Sequence, residues 1–351
     1  MKRNPLMIGN LKARIPVIQG GMGVGISLSG LASAVASCGG IGVISTAQIG
    51  FREADYDEHP LEANLRAVKK EILRARTLSP SGILGVNIMT ATREYAQYVK
   101  AAVRAGIDLI ISGAGVPADL PGYVHGSDTK IAPIVSSARS AQVILKLWDR
   151  KYHRIPDLLV IEGPWAGGHL GFTEEELAAA DHEAYDAEIR SILKVKQKFE
   201  DAYGTRIPTA VAGGVYTPED MDHYLSLGAD AVQMSTRFVT TYECDADERY
   251  KNAYIQAKKE DIRIVKSPVG LPGRAIENDF IRRSEQGRIT PGPCHQCLAR
   301  CDRKNIPYCI SEALVHAAKG ELADALLFCG SNAFRAEKLE HVSDIMAEFA
   351  Q

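Results

Sequence analysis

Val160-Ile161-Glu162-Gly163-Pro164-Trp165-Ala166-Gly167-Gly168-His169-Leu170-Gly171 is a strand that breaks into a glycine turn, and the pattern it sets runs through the chain. The apolar run Leu158-Leu159-Val160-Ile161 reads as a parallel strand buried on both faces. It stops at a carboxylate, and the glycine-rich turn behind it presents one histidine. Paired glycines permit close backbone approach, or a positive φ, without steric cost. A single unit of this kind is only a tight turn. Repetition of strand, glycine turn and helix makes it a fold.

The unit recurs on both sides. Upstream, Ile15-Pro16-Val17-Ile18-Gln19 opens into Gly20-Gly21-Met22-Gly23-Val24-Gly25, and Ile41-Gly42-Val43-Ile44 ends in Ser45-Thr46. The third strand, Ile83 to Met89, carries an amide, Asn87, where a buried strand would stay apolar. Leu109-Ile110-Ile111 ends in Ser112-Gly113-Ala114-Gly115, and Ile131 to Val135 ends in Ser136-Ser137. Downstream, Pro208 to Ala212 ends in Gly213-Gly214, and Ala231-Val232-Gln233-Met234 ends in Ser235-Thr236. Helices fit between them; one from about Leu61 to Arg76 sets Leu61, Leu65, Val68 and Ile72 on one face. An acidic insertion, Thr173 to about Ala187, follows the central turn.

Strands that alternate with helices and end in Gly, Ser, Thr or Asn predict an α/β fold, a (β/α)8 TIM barrel with its active site at the carboxyl ends of the strands. The rival is an open doubly wound sheet. Gly21-x-Gly23-x-Gly25 has the look of a dinucleotide fingerprint, but the second strand ends in Ser45 and Thr46 where an acidic residue would hold a ribose. In such barrels the turns after strands seven and eight commonly hold a phosphate. Gly213-Gly214 and Ser235-Thr236 occupy those places and lack the lysine of a nucleotide-triphosphate loop, which favours a singly phosphorylated cofactor such as FMN.

Composition narrows the function classes. The chain has 351 residues, 46% hydrophobic and 24% charged, with a formal net charge of −2. That balance disfavours nucleic acid or a membrane as partner and suits a small-molecule substrate. No apolar run approaches the ~18 residues of a membrane-spanning helix. The basic start Met1-Lys2-Arg3 has no apolar signal core behind it, so a cytoplasmic location is expected. A homodimer is an open alternative.

On these residues the chain resembles the nitronate monooxygenase family (2-nitropropane dioxygenases), and it is similar also to the FMN-dependent enoyl-acyl-carrier-protein reductases. The matching motifs are Gln19-Gly20-Gly21-Met22, Gly85-Val86-Asn87-Ile88-Met89, Glu162 with Ala166-Gly167-Gly168-His169-x-Gly171, Ala212-Gly213-Gly214, and Gln233-Met234-Ser235-Thr236-Arg237-Phe238. They run in order through most of residues 10 to 240. The resemblance implies non-covalent FMN contacted by Gly21, Met22, Asn87, Glu162, Gly167, Gly168, Gly213, Gly214 and Gln233 to Thr236, including Met234 and Ser235. It departs from the family at Trp165, where glutamate is common, so a stacking surface replaces a charge near the substrate. His169 is the candidate catalytic residue, because imidazole exchanges protons near neutrality. The other eight histidines read as solvated.

Residues 1–265 are expected to form the FMN-binding barrel and 266–351 an extension packed on it. Ser267 to Ala275 reads as a stiff proline- and glycine-rich linker. Beyond it, Cys294, Cys297, Cys301 and Cys309 fall within sixteen residues, four of the seven cysteines in the chain. That spacing suits an iron–sulfur cluster or zinc, with reduced thiols and no metal as the alternative. Cys38, Cys244 and Cys329 read as buried apolar residues.

The function expected is an FMN-dependent oxidoreductase that oxidises alkyl nitronates with O2. The first alternative is an enoyl-thioester reductase using NAD(P)H. The second, from another class, is a flavin-binding sensor or electron-transfer subunit.

Overall fold

Short parallel strands that are apolar on both faces have to be covered on both, and here they close on themselves inside a ring of helices. The computed structural model describes residues 3–351. In chain order the strands are β1 (Leu6–Ile8), β2 (Leu11–Ala13), β3 (Val17–Gln19), β4 (Ile41–Ser45), β5 (Ile83–Met89), β6 (Leu109–Gly113), β7 (Lys130–Val135), β8 (Leu159–Glu162), β9 (Gly168–His169), β10 (Thr209–Ala212), β11 (Ala231–Met234), β12 (Ile262–Lys266) and β13 (Pro272–Ile276). β3, β4, β5, β6, β7, β8, β10 and β11 form a closed parallel barrel in that order, and β11 returns to β3. The fold is the expected (β/α)8 barrel.

The two faces of each strand separate cleanly. Ile18, Ile41, Val43, Leu109, Ile111, Ala132, Val160, Ala210 and Ala231 fill the barrel, together with Leu6 and Ile8. Val17, Ile44, Val86, Ile110, Leu159, Ile161, Val211 and Val232 point outward into the core shared with the helices. The hairpin β1–β2 therefore plugs the amino-terminal end of the barrel, an element the sequence pattern did not announce. No helix among the described residues is long and apolar enough to cross a membrane.

Two loop readings change. Residues 267–275, expected as a linker, form a tight turn and the strand β13, which pairs antiparallel with β12 on one side and with β9 on the other. The acidic insertion is largely helical. Thr173 caps the helix Glu174–Ala178 through a reciprocal bond with Glu176, and Asp181 caps the helix His182–Tyr203. Carboxylates in the first turn of a helix are stabilised by its dipole, which is why an acidic run can start one.

Candidate active site at the carboxyl ends of the strands

Side chains alternate along a strand, so the residues two or four beyond an inward apolar position also face inward. That rule carries Asn87 of β5, Glu162 of β8 and Gln233 of β11 to the top of the barrel interior. Register brings two of them level: Ala212 pairs with Glu162 on one side and with Gln233 on the other. All three are partly accessible, as a concave mouth requires. Met234, the next residue on β11, points the other way into the outer core, so only its backbone reaches the mouth, where its carbonyl accepts from Gly20 N at 3.0 Å. The Met234 side chain, expected among the cofactor contacts, therefore lies away from the mouth.

Glycines set the closeness of the strands here. A methyl on Gly20 would lie 2.6 Å from Ser235 Oγ and 3.3 Å from the Gln233 side chain, and one on Gly21 would overlap Asn87 Cβ. The first, third and eighth barrel strands thus meet over Gly20-Gly21, with Met22 N held by Ser27 Oγ at 2.9 Å. Across the mouth, Gly213 and Gly214 have φ of 99° and 83°, values that a side chain would strain. A methyl on Gly213 would sit 3.0 Å from Ala166 N, which ties the strand-seven turn to the Ala166–His169 turn. Within this ring, Gln233 Oε1 is buried without a hydrogen-bond partner. A buried amide oxygen left unpaired is costly and calls for a reason, a bound group that completes it being one.

His169 does not sit on a barrel strand. It lies on β9, in the three-stranded outer sheet β12-β13-β9 that stands over the mouth. Its Nε2 is 2.8 Å from Ser267 Oγ, and its ring meets Phe328 edge-on at 5.0 Å. Burial pushes the imidazole down to about 4, so it is neutral at pH 7 and open to a proton. Burial pushes Glu162 the other way, up to about 7, which keeps a substantial protonated fraction at neutrality.

The carboxyl-terminal segment completes the rim, and sequence motifs had not flagged it. Gly330 N donates to Thr236 Oγ1 at 3.1 Å, Ser331 N to Trp165 O at 3.2 Å, and Asn332 Nδ2 to Gly214 O at 2.7 Å. A methyl on Gly167 would lie 2.6 Å from Gly330 N, so this turn and the Ala166–His169 turn are in contact. The available signals were Gly330 and the polar pair after it, too common in loops to stand out.

Other expectations need correction. Trp165 stacks one face on His182, with ring centroids 4.0 Å apart, so that face is not free for substrate. His295 is not solvated: it stacks on Tyr56 at 4.5 Å and bonds Asp57 at 2.9 Å. The metal centre expected at Cys294, Cys297, Cys301 and Cys309 is not assembled. Among the described residues no three His, Cys, Asp or Glu side chains gather as ligands. The segment is instead tied by its backbone to the β5 loop, with Arg93 N bonded to Cys297 O at 3.0 Å and Ala299 N to Ala91 O at 2.9 Å. Burial, with the neighbouring thiols, raises Cys297 and Cys309 above the ordinary thiol range. Cys244 and Cys329 are buried as expected, whereas Cys38 is half-buried.

Two clefts lie away from this site. One is bordered by Phe51, Arg52 and Asp245, the other by Lys196, Glu200 and Arg206. Neither borders any residue of the mouth.

The family model for nitronate monooxygenase matches residues 4–351. A Staphylococcus saprophyticus protein named "Probable nitronate monooxygenase" is 24% identical over 313 residues, covering 82% of this chain and 82% of its own. A substituted octahydroindene-carboxyl-CoA dehydrogenase of Mycobacterium tuberculosis is 24% identical over 277 residues, covering 79% of this chain and 67% of that one. Among solved structures, FabK from Thermotoga maritima aligns with a TM-score of 0.72 and 22% identity, covering 96% of this chain and 92% of that one. At that identity the likeness speaks to fold alone.

Proposed function

This chain is an oxidoreductase of the nitronate monooxygenase family, and from that premise we propose that it binds FMN non-covalently at the barrel mouth and oxidises alkyl nitronates with O2. The single observation that carries the reading is the orphaned Gln233 Oε1 inside a ring of glycines and polar strand ends. An isoalloxazine edge offers both donors and acceptors, which Gln233 and Asn87 match through their amides. Gly213-Gly214 and Ser235-Thr236 would hold the phosphate through backbone amides and hydroxyls. Gly20 and Gly21 leave room for close approach, and Gly167 with Gly168 would border the same group.

Bound FMN would supply the redox chemistry, taking the electrons that the substrate carbon gives up. The protein's own share is position and proton handling. Neutral His169 would donate Nε2–H to Ser267 Oγ at 2.8 Å, which fixes the ring and leaves Nδ1 as the nitrogen able to accept a proton, and Phe328 lies edge-on to the ring. Glu162 faces the mouth from strand six as a carboxyl that is protonated in part near pH 7 and therefore able to donate as well as accept. On this reading the outer sheet would supply the proton acceptor and the barrel the cofactor site, so binding and proton transfer would come from separate layers.

The test is steady-state turnover with a propyl nitronate under air, set against crotonyl thioester with NADH. Oxygen-dependent nitronate consumption without nicotinamide is the expected result. Thioester reduction alone would replace this reading with the reductase. Activity on neither, with flavin bound, would point to a sensor or electron-transfer role.

A further inference from the structure

Among the described residues, four cationic side chains are buried: Lys196, Arg237, Lys251 and Arg274. Two are paired with carboxylates, and a third, Lys251, has its ammonium on two backbone carbonyls. Lys196 pairs with Glu200 at 2.8 Å, Arg237 forks onto Glu348 and Glu340, and Lys251 donates to the Thr241 and Tyr242 carbonyls. Arg274, 8% exposed, has no carboxylate within ion-pair distance among the described residues, and its guanidinium makes one hydrogen bond, to Ala166 O. Five N–H donors in a fixed fork then serve a single carbonyl. Burial pulls its pKa below the ordinary guanidinium value, but a guanidinium keeps its charge in proteins. A buried charge without a counter-ion is strongly unfavourable and is ordinarily compensated by an anion.

Position indicates which anion. The carbonyl that Arg274 holds belongs to Ala166, whose amide nitrogen lies against Gly213 of the strand-seven turn. On its other side, Arg274 O accepts from Cys329 N at 3.0 Å, and the next residue, Gly330, bonds Thr236 of the strand-eight turn. Both turns read as phosphate-binding are therefore one residue removed from Arg274's partners. The substrate side is excluded by strand geometry. Arg274 pairs opposite Gly168 and Gly273 opposite His169, so Arg274 and His169 project from opposite faces of the outer sheet. An anionic substrate handled by His169 is thus not the ion that Arg274 meets.

We propose that Arg274 is the cationic partner of the flavin phosphate in this chain, contributed by the outer strand β13 and not by the barrel. The inference rests on the FMN reading given above. A guanidinium is suited to it because its planar fork matches phosphate oxygens, and such charge-assisted bonds exceed neutral ones in strength.

The experiment compares FMN with riboflavin, which lacks only the phosphate, on full-length chain stripped of flavin. Dissociation constants from flavin-fluorescence quenching give the preference for FMN in the wild type and in Arg274→Met. The wild type should favour FMN, and Arg274→Met should reduce that preference by about 10–100-fold while riboflavin binds nearly as before. Equal loss for both flavins, or an unchanged preference, overturns the proposal. Should Arg274→Met not fold, Arg274→Lys decides: a several-fold fall in preference supports the assignment, and the full wild-type ratio refutes it. Wild-type protein that binds neither flavin would sink the FMN reading itself, a different outcome from either.

Discussion

The barrel mouth and the cysteine segment at 294–309 carry similar promise as text and very different geometry. Both concentrate residues that do chemistry, and the four thiols are near enough to raise one another's pKa, yet among the described residues no three of them gather as ligands. At the mouth the barrel decides: strand alternation and register force Asn87, Glu162 and Gln233 to face a common interior whatever the loops do. The cysteines sit in irregular backbone, where close spacing in sequence imposes no convergence, and their segment is held by Arg93, Ala91 and Asp57. Spacing becomes geometry only where secondary structure converts one into the other.

If that contrast is right, changes in the mouth should be severe and changes in the cysteines mild. The largest expected effect is His169→Ala, which should keep FMN while turnover falls by ~10²–10⁴-fold, measured as kcat with nitronate. Loss of flavin along with activity would recast His169 as a structural residue. Next is Gly21→Ala, whose new methyl would overlap Asn87 Cβ. Overpacking of this kind should cost about 1–3 kcal/mol in denaturant unfolding and weaken FMN, and full retention of both would loosen the account of how the strands meet.

How much of this was legible beforehand depended on periodicity. All eight barrel strands could be read because each is a short apolar run ending in a turn residue, and Asn87 and Gln233 stood out as amides interrupting such runs. The hairpin β1–β2 was not legible, since three-residue strands are too short to show a period. Nor was β13. Its Pro272 and Gly273 read as linker residues, whereas the chain turns back there to pair antiparallel with β12 and, at Gly273 and Arg274, with β9, more than a hundred residues distant in sequence. For the same reason Arg274 was seen only as the end of a linker, and Ser267 and Phe328 were not connected with His169. The outer sheet is made by tertiary contact, to which a local pattern is blind.

A smaller effect follows from Glu162. Its folded-state value is raised from 4.5 to about 7, so the stability it contributes is full below 4.5 and is lost as pH rises through about 7. His169 runs oppositely: depressed from 6.5 to about 4, it contributes above 6.5 and is lost as pH falls through about 4. Flavin-free Glu162→Gln should therefore lose the decline in thermal stability between pH 4.5 and about 7, while His169→Ala should flatten the acid side. An unchanged pH profile in both would mean that neither group is desolvated as described. Smallest of all, Cys301→Ser, at an exposed position, should shift stability by no more than ~0.5 kcal/mol, with FMN retained and no response to chelator dialysis. A large loss on either treatment would erase the contrast between the two regions.

The most direct measurement is the flavin content of the purified full-length chain, by absorbance and by chromatography of what heat denaturation releases. The account predicts a yellow protein that gives up about one FMN per chain, with no FAD, because the mouth offers one pair of phosphate-sized turns and no dinucleotide fingerprint. A colourless protein that cannot be reconstituted with FMN, or one that releases FAD, would contradict it.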